Sequence, residues 1–324
     1  MEQTTPPRLY LAQFSTKVRQ IKEEIARVVV GHNQAVDLLI AAILADGHVL
    51  LEGVPGVAKT LLARLTARLI DARFSRIQFT PDLMPSDVLG TTVFNMKTSE
   101  FDFHEGPIFA NMVLVDEINR APAKTQAALF EVMEERQVSI DGVTHRMAEP
   151  YTIIATQNPV EQEGTYKLPE AQLDRFMFKI VMGYPTLDEE KAILQRHQAN
   201  ARLTKLDNNA PIISKDELLA LRDTLRSVLV DDSLMGYIAQ IVQQTRTSKA
   251  VFLGASPRAA VAMLQTSKAI ALINGRDFVT PDDIKIVAPA VLDHRIIITA
   301  EAEMQGYTAS KIVATLVNNV EVPK

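Results

Sequence analysis

The chain has 324 residues, 47% of them hydrophobic and 23% charged, with a formal net charge of −5 and no cysteine. That is room for two domains and a sizeable core in an ordinary soluble globular composition. The acidic balance argues against a dedicated nucleic-acid binder, although a local basic strip in a pore would escape the average, and the lack of Cys excludes disulfides, thiolate chemistry and Cys-based zinc sites.

Residues 1–8 read as a loose, acidic, Pro-containing arm with no apolar h-region, so no signal peptide is visible. Phe14, Val18, Ile21, Ile25 and Val28 recur at spacings of four and three and predict an amphipathic helix, which Val29-Val30-Gly31-His32 breaks. A second helix carries Val36, Leu39, Ile40, Ile43 and Leu44. The longest uninterrupted apolar run, Leu38 to Ala45, is far too short to span a bilayer, so the default expectation is a cytoplasmic enzyme. The six His are scattered without His-x-x-x-His spacing, which speaks against a catalytic transition-metal site.

His48-Val49-Leu50-Leu51 is a short apolar run that leads into Gly53-Val54-Pro55-Gly56-Val57-Ala58-Lys59-Thr60 and then the helical pattern opened by Leu61. Strand, glycine-bearing turn, Lys-Thr and helix is the context of a phosphate-binding loop, whose backbone N–H groups and helix N-terminus face a polyanion. Lys59 would reach the β- and γ-phosphates and Thr60 would hold the accompanying Mg²⁺. Ala58 stands where the standard pattern has Gly, which requires a helical residue with negative φ there. A surface lysine after a glycine cap is the plainer alternative, and it needs a second motif to displace it.

That motif follows about 57 residues after Lys59, where Asn111-Met112-Val113-Leu114-Val115, a buried parallel strand by its pattern, ends in Asp116-Glu117. An Asp at that strand end can hold Mg²⁺ through water, and the next Glu can polarise the attacking water as general base. Alone, such a pair is a solvated strand end; after a phosphate loop it reads as the second half of a nucleotide site.

Strands are expected at His48–Leu51, Phe74–Phe79, Met112–Val115, Thr152–Thr156 and Phe176–Val181, alternating with helices, which predicts a parallel sheet covered on both faces. Two segments break the alternation. Thr91–Asn95 and Glu100–Phe103 read as a hairpin with a longer loop, and Gln137–Ile140 and Val143–Met147 read as a tight one closed by Asp141-Gly142. From Tyr184 the pattern is mostly helical, with capping signals at Thr186/Glu189, Ser214/Glu217 and Thr280-Pro281-Asp282-Asp283, and Gly275 and Gly306 at helix ends. The division expected is an α/β nucleotide-binding core over 1–183 and a smaller all-helical lid over 184–324.

Taken together, GVPGVAKT, the stretch Pro85–Phe109, Val113–Glu135, Ala155-Thr156-Gln157-Asn158-Pro159, Leu168–Phe176 and Gly254–Ala259 resemble the MoxR branch of the AAA+ ATPases over nearly the whole chain. Members commonly carry Ala at the place of Ala58. The resemblance implies that the hairpins are the helix-2 and pre-sensor-1 inserts, which line the pore of a ring. It implies that Asn158 is the sensor-1 residue that helps position water and γ-phosphate, and that Arg175 is the arginine finger. It makes Arg258, after the cap pair Ser256-Pro257, the sensor-2 residue of the lid, and it places Val30, Gly31 and His32 against adenine. Arg120 would face a neighbouring subunit or the pore.

The function expected is ATP hydrolysis by a homo-oligomeric ring, hexameric in number, with Mg²⁺ as the metal. ATP would lie between core and lid of one subunit and against Arg175 of the next. Hydrolysis would shift lid and hairpins to remodel a client protein, often with a partner bearing a von Willebrand factor A domain. The alternatives are a metal-chelatase motor subunit, a nucleic-acid translocase of the minichromosome-maintenance kind, which the acidic balance opposes, and a nucleotide-switched binding module, which Glu117, Asn158 and Arg175 oppose.

Overall fold

The computed structural model describes residues 8–159, 165–166, 168–198 and 210–323. Of the N-terminal arm read from the sequence, 1–7 lie outside the described residues, and Arg8 already begins a helix. Helix α1 (Arg8–Val28) buries Leu11, Phe14, Val18, Ile21 and Ile25, and the next residue on that face is Val29, not Val28, which stays half-buried. Spacing explains the difference: four residues on from Ile25 returns to the same side of a 3.6-residue helix. Helix α2 (Asn33–Leu44) is apolar almost all round and packs beneath the sheet.

The core then alternates: β1 (Val49–Gly53), α3 (Lys59–Leu69), β2 (Phe74–Gln78), α4 (Pro85–Leu89), the hairpin β3 (Gly90–Asn95) and β4 (Glu100–Glu105), β5 (Met112–Asp116), α5 (Ala123–Glu135), the hairpin β6 (Gln137–Ile140) and β7 (Val143–Arg146), β8 (Thr152–Gln157), α6 (Glu170–Leu173) and β9 (Phe178–Met182). Strands β2, β5, β8, β1 and β9 lie side by side in that order, all parallel. The apolar runs of the three inner strands β5, β8 and β1 fit burial on both faces. Asp141 and Gly142 both adopt positive φ, 50° and 79°, as a two-residue turn with the twist of its strands requires. The two hairpins touch through Phe103 and His145, ring centroids 4.2 Å apart.

The helical part comprises α7 (Leu187–Gln198), α8 (Lys215–Arg226), α9 (Asp232–Thr247), α10 (Pro257–Ile273), α11 (Pro281–Leu292), α12 (Ala300–Met304) and α13 (Ala309–Asn319). It is not purely helical: β10 (Val251–Leu253) and β11 (Ile297–Ile298) form a short antiparallel pair, too brief to leave a period in the sequence. Thr186 and Glu189 make a reciprocal cap, whereas the Glu217 carboxylate goes to Lys17 at 2.6 Å and leaves Ser214 only the Glu217 N–H. Among the described residues no helix is long and apolar enough to cross a membrane.

Candidate active site

Parallel strands deliver their C-terminal ends to one edge, and Gly53, Lys59, Thr60, Asp116, Glu117 and Asn158 of the predicted site converge there. Gly53 closes β1 beside Met182 of β9, where a Cβ would stand 2.4 Å from the Met182 carbonyl oxygen, so no larger residue fits without parting the strands. Val57 is buried and anchors the loop, while Pro55 and Gly56 are exposed and Gly56 takes φ 89°. Ala58 corrects an expectation. Its φ is +63°, in the left-handed region rather than the helical one, so the loop holds an L-residue where glycine would be unstrained. Helix α3 begins at Lys59, so the N–H groups of Lys59, Thr60 and Leu61 are free of intrahelical partners and available to an anion.

Lys59 folds back to donate from Nζ to the Gly53 carbonyl. Burial lowers its pKa, and the carboxylates of Asp116, Glu117 and Glu52 pull it back up. Asp116, almost fully buried at the end of the wholly buried β5, accepts from Thr156 Oγ1 at 3.1 Å and from Arg76 Nε at 2.6 Å. Thr60 Oγ1 lies 3.5 Å from Asp116 Oδ2. A hydroxyl and a carboxylate side by side are hard oxygen donors of the kind Mg²⁺ takes together with water and substrate phosphates, so the residues fit that ion.

Glu117 turns out of the strand with φ 56° and donates its backbone N–H to Thr156 Oγ1 at 3.0 Å, so one hydroxyl ties both acidic residues to β8. The Glu117 carboxylate accepts from Gln78 Nε2 at 3.1 Å and from Arg120 Nε at 3.0 Å. Arg120 therefore points into its own site, not away from it. Asn158 follows directly after β8, half-buried at the same edge. Arg76, Gln78 and Thr156 escaped the sequence reading. The signal available was the two-residue spacing of Arg76 and Gln78, which puts both on one face of a strand neighbouring β5.

Val30, Gly31 and His32 form the break between α1 and α2, with left-handed φ of 76° at Gly31 and 59° at His32. A Cβ on Gly31 would meet the Glu189 carboxylate at 2.6 Å, so this segment lies directly under the first turn of α7. Burial lowers the His32 pKa and the Glu189 charge raises it.

Arg175 and Arg258 are elsewhere. Arg175 precedes β9, at the end where strands begin. Helix α5 returns to that same end, as His48, just before β1, shows by donating from Nε2 to the Met133 carbonyl at 3.1 Å. There Glu134 accepts from Arg175 Nε at 3.2 Å and Arg258 Nη2 at 2.9 Å, in a cleft of about 480 Å³. The five residues of β1 span about 16 Å at 3.3 Å each, so these arginines lie across the sheet from Lys59. Arg258, expected as the sensor-2 residue of the lid, joins Arg175, because α10 starts beside the Asp174 turn, where Ser256 Oγ donates to Asp174 Oδ2 at 3.0 Å. The sequence could not show this, since lid placement depends on contacts more than eighty residues apart.

Residues 48–178 match the family described as "ATPase family associated with various cellular activities (AAA)", and residues 243–316 match the AAA lid domain. The chain is 49% identical over 93% of its length to the uncharacterized protein YeaC of Bacillus subtilis, of which it covers 93%. It is 43% identical over 93% of its length to the chaperone MoxR1 of Mycobacterium tuberculosis, of which it covers 81%. A crystal structure of a Cytophaga hutchinsonii protein assigned as an ATPase superimposes with a TM-score of 0.88 at 41% identity, covering 97% of each chain. With a parallel core, a phosphate-type loop opening α3 and identities of this size over nearly all its length, the chain belongs to the MoxR family of AAA+ ATPases.

Proposed function

We propose that this ATPase hydrolyses Mg²⁺-bound ATP only between adjacent copies of itself, and that it spends the cycle on remodelling a client protein complex. The observation that supports this reading is the placement of Lys59, Asp116 and Glu117 at one edge of the sheet and of Arg175 and Arg258 at the other. A cation needed at the γ-phosphate but held across the sheet has to come from a neighbour, and a head-to-tail contact of that sort makes a ring where its rotation closes. Six as the ring number rests on the family resemblance, as do a cytoplasmic setting and a partner with a von Willebrand factor A domain. We draw the boundary between core and lid at Gly183, just past β9. The net charge of −5 supports a protein client over nucleic acid.

In this reading Val30, Gly31 and His32 take the adenine, and the loop from Gly53 to Leu61 takes the phosphates. Bound Mg²⁺ neutralises phosphate charge. Lys59 leaves the Gly53 carbonyl for the phosphates, while Thr60 and Asp116 are the oxygen donors. Glu117 accepts the proton of the attacking water, its carboxylate oriented by Gln78 and Arg120, and Asn158 helps place that water. Arg175 and Arg258 exchange Glu134 for the γ-phosphate of the adjacent subunit. A finger supplied in trans is worth about 10³–10⁵ in rate.

Mixing two inactive variants tests this. Arg175→Ala and Glu117→Gln should each bind ATP and each fail to turn it over. Once subunits exchange, interfaces that join an intact Glu117 to an intact Arg175 should hydrolyse ATP. No recovery despite demonstrated exchange would refute the shared site.

A further inference from the structure

Arg295 lies in the lid, in the turn after α11, yet every hydrogen it can donate but one is committed to the core segment that carries Arg175. Its Nε donates to Asp174 Oδ1 at 2.7 Å, Nη2 to the carbonyls of Asp174 at 3.1 Å and Phe176 at 2.7 Å, and Nη1 to the carbonyl of Met177 at 3.1 Å. The fifth hydrogen goes from Nη1 to the Val291 carbonyl in its own helix at 2.6 Å. All five donors of a guanidinium are thereby used, on a side chain only 3% exposed. Two more lid contacts fall on the same turn. His294 Nε2 meets the Phe176 carbonyl at 2.9 Å, and Ser256 donates to the second oxygen of Asp174. Ser256 sits at the cap position of α10 but makes no side-chain cap bond, so its hydroxyl serves the turn instead of its helix.

Stability does not call for this arrangement. Withdrawing an arginine and a carboxylate from water costs much of what their attraction returns, and apolar replacements of such pairs are often as stable. What the planar fork does provide is direction: the carbonyls of Asp174, Phe176 and Met177 and one carboxylate are fixed relative to a single rigid group. The residue between the anchored Asp174 and the anchored Phe176 is Arg175.

We propose that Arg295 is a positioning residue that acts through Arg175: the lid of one subunit holds that arginine in the orientation needed at its neighbour's nucleotide. The inference rests on the shared-site reading above and adds that lid and finger move as one body. Because α10 also carries Arg258, one lid would govern both cations offered to the adjacent subunit, and its position would set the neighbour's rate, not its own.

The test uses Arg295→Lys, which keeps the charge for Asp174 but cannot reach the forked carbonyls. ATP affinity should stay as in the parent, since the nucleotide site lies across the sheet, while kcat should fall by about 10²-fold, the scale of an ångström of misplacement. Ser256→Ala, which removes one bond to Asp174 and no cap, should lower kcat several-fold at unchanged affinity, and it keeps the inference testable should the lysine variant fail to fold. The deciding measurement mixes each variant with Glu117→Gln under subunit exchange. A misplaced finger harms only the neighbour, so activity should return, as it should with Arg175→Ala. If Arg175→Ala recovers in such mixtures while Arg295→Lys and Ser256→Ala do not, the shared site stands and the positioning role is overturned. If Arg175→Ala itself does not recover, the shared-site reading fails and takes this one with it. Parent-level kcat in both variants would also overturn it.

Discussion

Arg76 donates from Nε to the carboxylate of Asp116 at 2.6 Å, which puts a half-exposed cation on the acid best placed to hold a metal ion. Any Mg²⁺ that uses Asp116 competes with that guanidinium. A partly exposed pair is worth about 0.2–1 kcal/mol, so Arg76→Ala should lower the Mg²⁺ concentration for half-maximal ATP hydrolysis by about 1.4- to fivefold. A Mg²⁺ titration at saturating ATP measures this. A higher Mg²⁺ requirement would mean that Arg76 supports the bound phosphates and does not oppose the metal.

Ala58 carries a strained backbone in the phosphate loop, with φ +63°. Glycine relieves the clash of Cβ with the backbone but loses more freedom on folding, and the first effect is the larger at positive φ. Ala58→Gly should therefore raise stability by about 1 kcal/mol, a Tm increase of about 2–4 °C. A melting temperature at or below the parent value would show that the methyl group's packing outweighs the strain.

His48 is fully buried between β1, α5 and β8, and it holds two chains at once. Its Nδ1 accepts from the Ile153 N–H at 2.9 Å while Nε2 donates to Met133. A protonated ring could not accept from Ile153, and burial together with the Arg136 charge lowers its pKa to about 3. The folded state thus refuses a proton that the unfolded chain takes up near 6.5. The contribution is complete above that pH and is lost as pH falls from 6.5 toward 3, at about 1.4 kcal/mol per pH unit. Urea unfolding at pH 7 and pH 5 should show a fall in stability that His48→Gln reduces by about one proton's worth. An unchanged slope in the variant would place the pH dependence elsewhere, with buried His294 the next group to test.

Phe101 and Phe103 sit two apart on β4 but do different things. Phe101 is 73% exposed and its ring meets that of the exposed Phe94, with centroids 5.1 Å apart, whereas Phe103 packs on Phe109 and on His145 of the other hairpin. Phe101→Ser should cost less than about 0.5 kcal/mol and leave basal hydrolysis unchanged. Phe103→Ser should cost about 1 kcal/mol and loosen the joint between hairpins. Both should impair remodelling of a client. Thermal melts beside ATPase rates separate the two, and equal losses of stability would show that the hairpins are not joined through Phe103.

The parts of this fold that were legible beforehand are those written in local patterns. Every strand of the five-stranded sheet was expected within two residues of where it lies, because strand-like runs alternate with helical periods. Asp141-Gly142 announced its hairpin through the φ values only such residues tolerate cheaply. Lys59, Thr60, Asp116 and Glu117 were legible because strand ends and helix starts bring them together by topology alone. What stayed hidden depends on tertiary approach. Arg258 was expected as the sensor-2 residue of the lid, and its place beside Arg175 was not legible, since where α10 begins depends on Asp174 and Ser256 meeting across 82 positions. The negative φ expected at Ala58 was wrong because the loop's curvature, not the residue's preference, sets that dihedral. Gln78 and Arg76 belong to a strand that looked like any polar-edged strand until its neighbour was known.

The opposed placement of Lys59 and Arg175 has a kinetic consequence. A subunit that carries both halves of a reaction centre on opposite rims has neither complete when alone. Turnover per polypeptide should then depend on protein concentration, falling toward zero on dilution well before ATP ceases to bind, because binding is a property of one chain and hydrolysis of two. On the shared-site proposal such an enzyme would consume no fuel while unassembled, and the geometry of a five-stranded sheet would double as a safeguard against idle expenditure of ATP.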